Sequence, residues 1–189
     1  FTDRAGKIFQ FEYNSRGQVT KITNPAGGVT EYTYNADGTM ASSTNSDIGI
    51  TTYWYDQCKR PVEVVHPDGT YMRISYDNND QITSITDERG KTFYYNYDAN
   101  GNLTKVTDPA GYEIRYTYDD MDRVTQITDR LGKITTYTYD NMGRLASITD
   151  PNGETTDFGY NSRGWMDEIT MGGHTWRTYY DDEGVPYQS

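Results

Sequence analysis

A tyrosine followed by Asp or Asn returns every 21 residues, at Tyr13, Tyr34, Tyr55, Tyr76, Tyr97, Tyr118, Tyr139 and Tyr160, and again, one residue early, at Tyr180. A chain with such a period folds as an array in which each unit packs mainly on its neighbours. With each tyrosine as position zero, position four is usually Gly (Gly17, Gly38, Gly101, Gly143, Gly164, Gly184) and position ten is Thr. Asp or Asn usually comes next, often with Pro, and position fourteen is a second Gly: Gly27, Gly69, Gly90, Gly111, Gly132 and Gly153. Residues 1–6 read as the tail of a preceding unit.

Two turn signals per unit, separated by short runs without helical periodicity, predict two strands per unit and an all-β fold. In Asp108-Pro109-Ala110-Gly111 the aspartate can accept from the following backbone, proline presets φ, and glycine supplies a positive φ. That suits a three-residue hairpin loop ending in a glycine bulge. Because side chains alternate along a strand, an odd period requires one irregular element per unit. It is either a four-residue loop or one added bulge. The reading taken puts the three-residue loop at the Asp-Pro turn and a four-residue loop at the Tyr-Asp turn. Phe93, Tyr95 and Tyr97 then share a face with Asn102, Thr104 and Val106, Tyr95 opposes Thr104, Phe93 opposes Val106, and Leu103 lies on the other face.

Only 34% of residues are hydrophobic, while 19 are tyrosines, so the contact surface is expected to be aromatic. A formal net charge of −11 argues against a nucleic-acid partner, which needs clustered Lys and Arg. No apolar run approaches the ~20 residues of a membrane-spanning helix. One cysteine, Cys58, excludes an internal disulfide framework. The chain opens partway through a repeat and reads as a piece of a longer polypeptide.

Some units depart from the pattern. Residues 44–49 displace the second glycine by one, and Lys59, Asp80 and Asp122 replace the first, so these three are expected in the left-handed region or in another turn type. Met171-Gly172-Gly173-His174 breaks the Asp-Pro turn. The organisation expected is regular repeats over 1–170 and a degenerate final repeat over 171–189.

No catalytic, cofactor-binding or metal-binding residue is assigned. Asp119-Asp120-Met121-Asp122 and Asp181-Asp182-Glu183 lack calcium-loop spacing and read as turn caps. His66 and His174 have no partners at zinc spacing, and Cys58 has no nearby histidine. Residues 45–52 resemble a sialidase Asp-box hairpin only loosely, since the terminal Trp is missing. Trp54, Trp165 and Trp176 read as aromatic packing, with sugar stacking as the alternative.

Tyr-Asp-x-x-Gly-x-Leu-x-x-Val-Thr-Asp-Pro-x-Gly, as at Tyr97–Gly111, resembles the RHS (YD-repeat) family over nearly the whole chain. The resemblance implies a long β-sheet spiralled into a hollow shell, as in bacterial polymorphic toxins and the Tc toxin cocoon subunit, where the shell encloses a C-terminal toxic segment. Teneurins and bacterial wall-associated proteins carry related repeats. The fold expected is a curved, strongly twisted sheet of antiparallel hairpins, the wall of such a shell. The implied partners are the rest of its own chain and a C-terminal toxin, and the implied location is secreted or at a bacterial cell surface. Asp150–Gly159 matches the family's closing motif only in part and reads as an ordinary repeat. The alternative is a surface adhesion module binding glycan or protein. A third reading is edge-to-edge self-association.

Overall fold

The computed structural model describes residues 8–187. All secondary structure in that range is β. The chain resolves into two compact units, Phe1–Tyr94 and Tyr95–Ser189. Unit one holds β1 (Gln10–Tyr13), β2 (Val19–Thr23), β3 (Val29–Tyr34), β4 (Met40–Asn45), β5 (Gly49–Tyr55), β6 (Pro61–Val65), β7 (Tyr71–Tyr76), β8 (Ile82–Thr86) and the start of β9 (Thr92–Tyr97). Unit two continues with β10 (Leu103–Thr107), β11 (Glu113–Tyr118), β12 (Val124–Thr128), β13 (Ile134–Tyr139), β14 (Leu145–Thr149), β15 (Thr155–Tyr160), β16 (Met166–Met171) and β17 (His174–Arg177). Two short strands follow, β18 (Tyr179–Tyr180) and β19 (Pro186–Tyr187). Within each unit successive strands pair antiparallel up to β17, and β18 and β19 pair with each other as a separate two-stranded sheet, so the repeats supply two strands each as the turn signals predict.

Both turns of a repeat are built alike. Asp98 N–H donates to the Asn102 carbonyl and Gly101 N–H to Asp98; Asp108 N–H donates to Tyr112 and Gly111 N–H to Asp108. Each is a three-residue loop, a type I turn closed by a residue of positive φ. Gly111 sits at φ 86°, a conformation that costs an L-residue about 1–2 kcal/mol. Lys59, Asp80 and Asp122 nevertheless adopt φ 64°, 66° and 59°. The left-handed reading of those three positions holds.

The four-residue loop expected at the Tyr-Asp turn is not there. The odd residue is a bulge inside the ladder: Thr117 opposes Gln126, but Tyr118 opposes Val124, so Thr125 is extra. The same shift recurs before Tyr13, Tyr76 and Tyr139. It corrects the expected cross-strand pairs. In these copies the marker tyrosine faces the aliphatic residue at position six, as Tyr76 faces Ile82. The residue two before it faces position nine, as Tyr116 faces Ile127. The equivalents of Leu103 therefore lie on the tyrosine face, and Tyr95's equivalents oppose those of Val106, not Thr104. A bulge changes parity as an extra loop residue would, but it shifts the pairing by one. The equivalents of Tyr97 and Val106 do share a face, as expected.

Two faces result. One carries tyrosines and aliphatics, for example Ile114, Tyr116, Tyr118, Val124 and Ile127. The other carries hydroxyl ladders and ion pairs, including Thr138–Ser147 at 2.7 Å, Thr149–Thr155 at 3.0 Å and Glu63–Arg73 at 2.6 Å. None of the described residues is buried. Stabilisation therefore comes from half-covered cross-strand pairs, each worth about 0.2–1 kcal/mol, and from backbone ladders.

Residues 171–187 depart in detail. Gly172 and Gly173, at φ 57° and 78°, form a two-residue loop between Met171 and His174. Two positive φ values mark the hairpin turn whose twist matches the strands. The missing loop residue explains why Tyr180 arrives early. The following turn keeps the repeat's features: Asp181 accepts from the N–H groups of Glu183 and Val185, and Gly184 has φ 84°.

Candidate functional site

The features that recur from repeat to repeat form a seam along the sheet end that carries the Tyr-Asp turns. Its centre is the marker tyrosine. The hydroxyl of Tyr118 donates to the carbonyl of Leu103 at 2.7 Å, that of Tyr139 to Val124 at 2.8 Å, and that of Tyr160 to Leu145 at 2.9 Å. In unit one Tyr34 donates to Val19 at 2.7 Å and Tyr76 to Pro61 at 3.0 Å. Tyr180 reaches Met166 at 2.5 Å despite its shortened spacing. Each acceptor is the position-six residue of the preceding repeat, beside its bulge. The tyrosine thus ties one repeat to the one before it, a bond worth about 0.5–1.5 kcal/mol net. Partial burial pushes the phenols of Tyr55 and Tyr118 above their ordinary pKa. Tyr13 is 60% exposed and its ring stacks on Phe11. Tyr97 ends β9.

The residue after the tyrosine caps the turn. Asp98 Oδ1 accepts from the N–H groups of Asn100 and Asn102 at 3.0 and 2.9 Å. The pattern recurs at thirteen turns, ten headed by Asp and three by Asn. These backbone donors hold several carboxyls below the usual range. The Asn102 N–H is the main cause for Asp98, and the Glu154 N–H for Asp150. At two turns the cap moves. Asn35 and His66 head them, and Asp37 and Asp68 accept instead from the backbone and hydroxyl of Thr39 and Thr70. The glycines singled out from sequence at position fourteen sit at the ends of these loops, with φ between 73° at Gly90 and 88° at Gly27; Gly69, Gly111, Gly132 and Gly153 lie between.

A third element appears where position five is Arg. Arg123 grips Asp119 through Nε at 2.8 Å and Nη2 at 2.6 Å, and its guanidinium lies 4.4 Å from the ring centre of Tyr139. Arg60 treats Asp56 and Tyr76 alike, and Arg144 treats Asp140 and Tyr160 alike. Sequence reasoning missed this clamp; the Asp-x-x-x-Arg spacing was visible, but the ring it covers lies in the next repeat.

The other residues weighed from sequence do not converge. Asp122 accepts from Asn102 at 2.6 Å, and Asp182 from Arg163 at 2.9 Å, so both acidic strings serve turns. His66 Nε2 lies 3.2 Å from Glu88, His174 lies in β17, and Cys58 is exposed in a turn. Trp165 packs 5.2 Å from Tyr180, and Trp176 opposes Ile169. Trp54 differs. It stands on the hydroxyl-and-ion-pair face opposite Glu63 and is 60% exposed.

A family model described as RHS Repeat matches residues 97–134, 122–155 and 143–175, and one described as Teneurin YD-shell matches residues 7–96. No curated protein matches. Among solved structures the chain is similar to a crystal structure of TcdB2-TccC3, at 14% identity and TM-score 0.64, covering 95% of this chain and 13% of that one. A TcdB2-TccC3-Cdc42 crystal structure gives 14% identity and 0.63, again covering 95% and 13%. A Tc holotoxin pore from Photorhabdus luminescens gives 15% and 0.62, covering 94% and 13%. The chain thus spans about one eighth of the length of these structures, and at such identities the likeness is one of fold.

Proposed function

With the chain belonging to the RHS/YD-repeat family, we propose that it is a non-catalytic wall segment of a curved β-shell that encapsulates and helps deliver a C-terminal toxin. The observation that carries this reading is the seam: the recurring tyrosine bonds and arginine–ring stacks join one repeat to the next, and the recurring caps stay within their own turns. The signature tyrosines and glycines are then structural, and the partners are further repeats and the toxin of the same polypeptide. The location that follows is secreted or at the cell surface, as for a bacterial secretion-system effector. The absence of any buried residue among the described residues supports a segment completed by more chain, since a sheet left as one layer covers neither face.

The test is to sequence the coding DNA on both sides and express the full polypeptide. Further repeats followed by an unrelated C-terminal domain that resists protease until the shell is denatured would support the reading. A wall anchor or stop codon soon after Ser189, without more repeats, would sink it.

Trp54 favours a second reading, a surface module binding glycan or protein through the polar face. A Trp54→Ala chain that keeps its stability but loses binding on a glycan panel is the expected result there. Panel binding that the substitution leaves unchanged would remove Trp54 from that role.

A further inference from the structure

We propose that the array is acid-labile at its carboxylate-capped turns, ten of them consecutive from Asp56 to Glu154 with single ones at Asp37 and Asp181, and acid-resistant at the Asn-capped turns that border that run. Every turn in that span is capped by a carboxylate, Asp68 serving in place of His66. The turns headed by Asn14, Asn24 and Asn45 before it, and by Asn161 after it, make the same kind of contacts through an amide oxygen. An amide does not titrate in acid, whereas a carboxylate that gains a proton loses the charge that strengthens its two N–H bonds.

Asp56, Asp68, Asp98, Asp119, Asp140 and Asp150 all lie below the usual carboxylate range. Their stabilisation is complete above the unfolded value of about 3.9 and is lost as pH falls through the lower folded value. The groups facing the caps grade the response. Arg60, Arg123 and Arg144 hold Asp56, Asp119 and Asp140, with Asp80 also on Arg60. His66, on Glu88, lies near Asp68, and Asp87 is flanked by Glu88, Arg89 and Lys91. Asp98 faces the Asn102 amide (which also reaches Asp122) and the Tyr118 phenol, and Asp150 faces the Asn152 amide. The three arginine-held caps gain a further reason to stay charged.

The test is site-resolved amide exchange on this chain at pH 6 and pH 3, with each rate referred to the intrinsic rate at that pH. Protection at the Asn102 and Glu154 N–H groups is expected to fall several-fold more than at Gln18, Gly28 and Trp165. Asp98→Asn should abolish the extra fall at Asn102. The reciprocal pair Asn14→Asp and Asn24→Asp should bring Gln18 and Gly28 into the sensitive set. An equal fall at all turns, or an unchanged fall at Asn102 in D98N, would overturn the proposal.

Discussion

Residues 95–170 keep the repeat almost letter for letter, while residues 1–94 hold most of the exceptions that precede the degenerate final repeat. In the first unit Ser43 interrupts the aliphatic row, Asn35 and His66 surrender their caps to Asp37 and Asp68, and the second glycine of one turn slips to Gly49. Lys59 and Asp80 take the left-handed position there, and Trp54 and Tyr94 stand on the polar face. Charge separates the units as well: twelve acidic and nine basic residues in the first, sixteen and eight in the second. Yet strand pairing and the bulge beside the tyrosine recur in both. The scheme therefore tolerates any residue that fills the required hydrogen-bonding role. It does not require one particular sequence.

That tolerance should fail first at Gly49. Its φ of 112° lies outside the left-handed basin, and a Cβ there would sit 2.8 Å from Pro67 Cβ. Gly49→Ala should cost about 2–3 kcal/mol in thermal or urea unfolding. An effect below that of Gly111→Ala would show that the displaced turn is as forgiving as the regular ones. Gly111→Ala meets no atom within 4 Å and should cost about 1–2 kcal/mol for φ alone. Lys59→Gly, the reverse exchange, should stabilise the chain.

Removing a single hydroxyl tests the seam more finely. Tyr118→Phe should lose about 0.5–1.5 kcal/mol, whereas Tyr13→Phe, at a largely exposed ring, should leave the melting temperature within error. Equal losses would mean that the ring and not its hydroxyl does the tying. The smallest measurable loss is expected for Arg123→Lys, which keeps the charge but loses the forked grip on Asp119 and weakens the stack on Tyr139. The melting temperature should drop measurably and by less than for Tyr118→Phe.

Much of this was legible in the sequence. Loop positions, turn caps and the left-handed Lys59, Asp80 and Asp122 follow from residue types whose local chemistry admits few alternatives. The position of Trp54 opposite in parity to Tyr55 could be read as well. The register could not. An extra Thr125 within Val124–Thr128 looks like any β-branched strand residue, so nothing local distinguishes a bulge from a longer loop. The tyrosine's acceptor lies fifteen residues earlier, and the arginine clamp closes on a ring sixteen residues later. Both become visible only once strands are laid side by side.

The phenol bonds also give the array a direction in time. Each repeat is closed by the tyrosine of the repeat after it, so synthesis from the N-terminus lays down a strand first and delivers its latch fifteen residues later. At about 5–20 residues per second, that delay is seconds or less. A nascent chain then carries only one unlatched carbonyl at its growing end, however many repeats lie behind it. Length adds strands without adding to the edge left waiting.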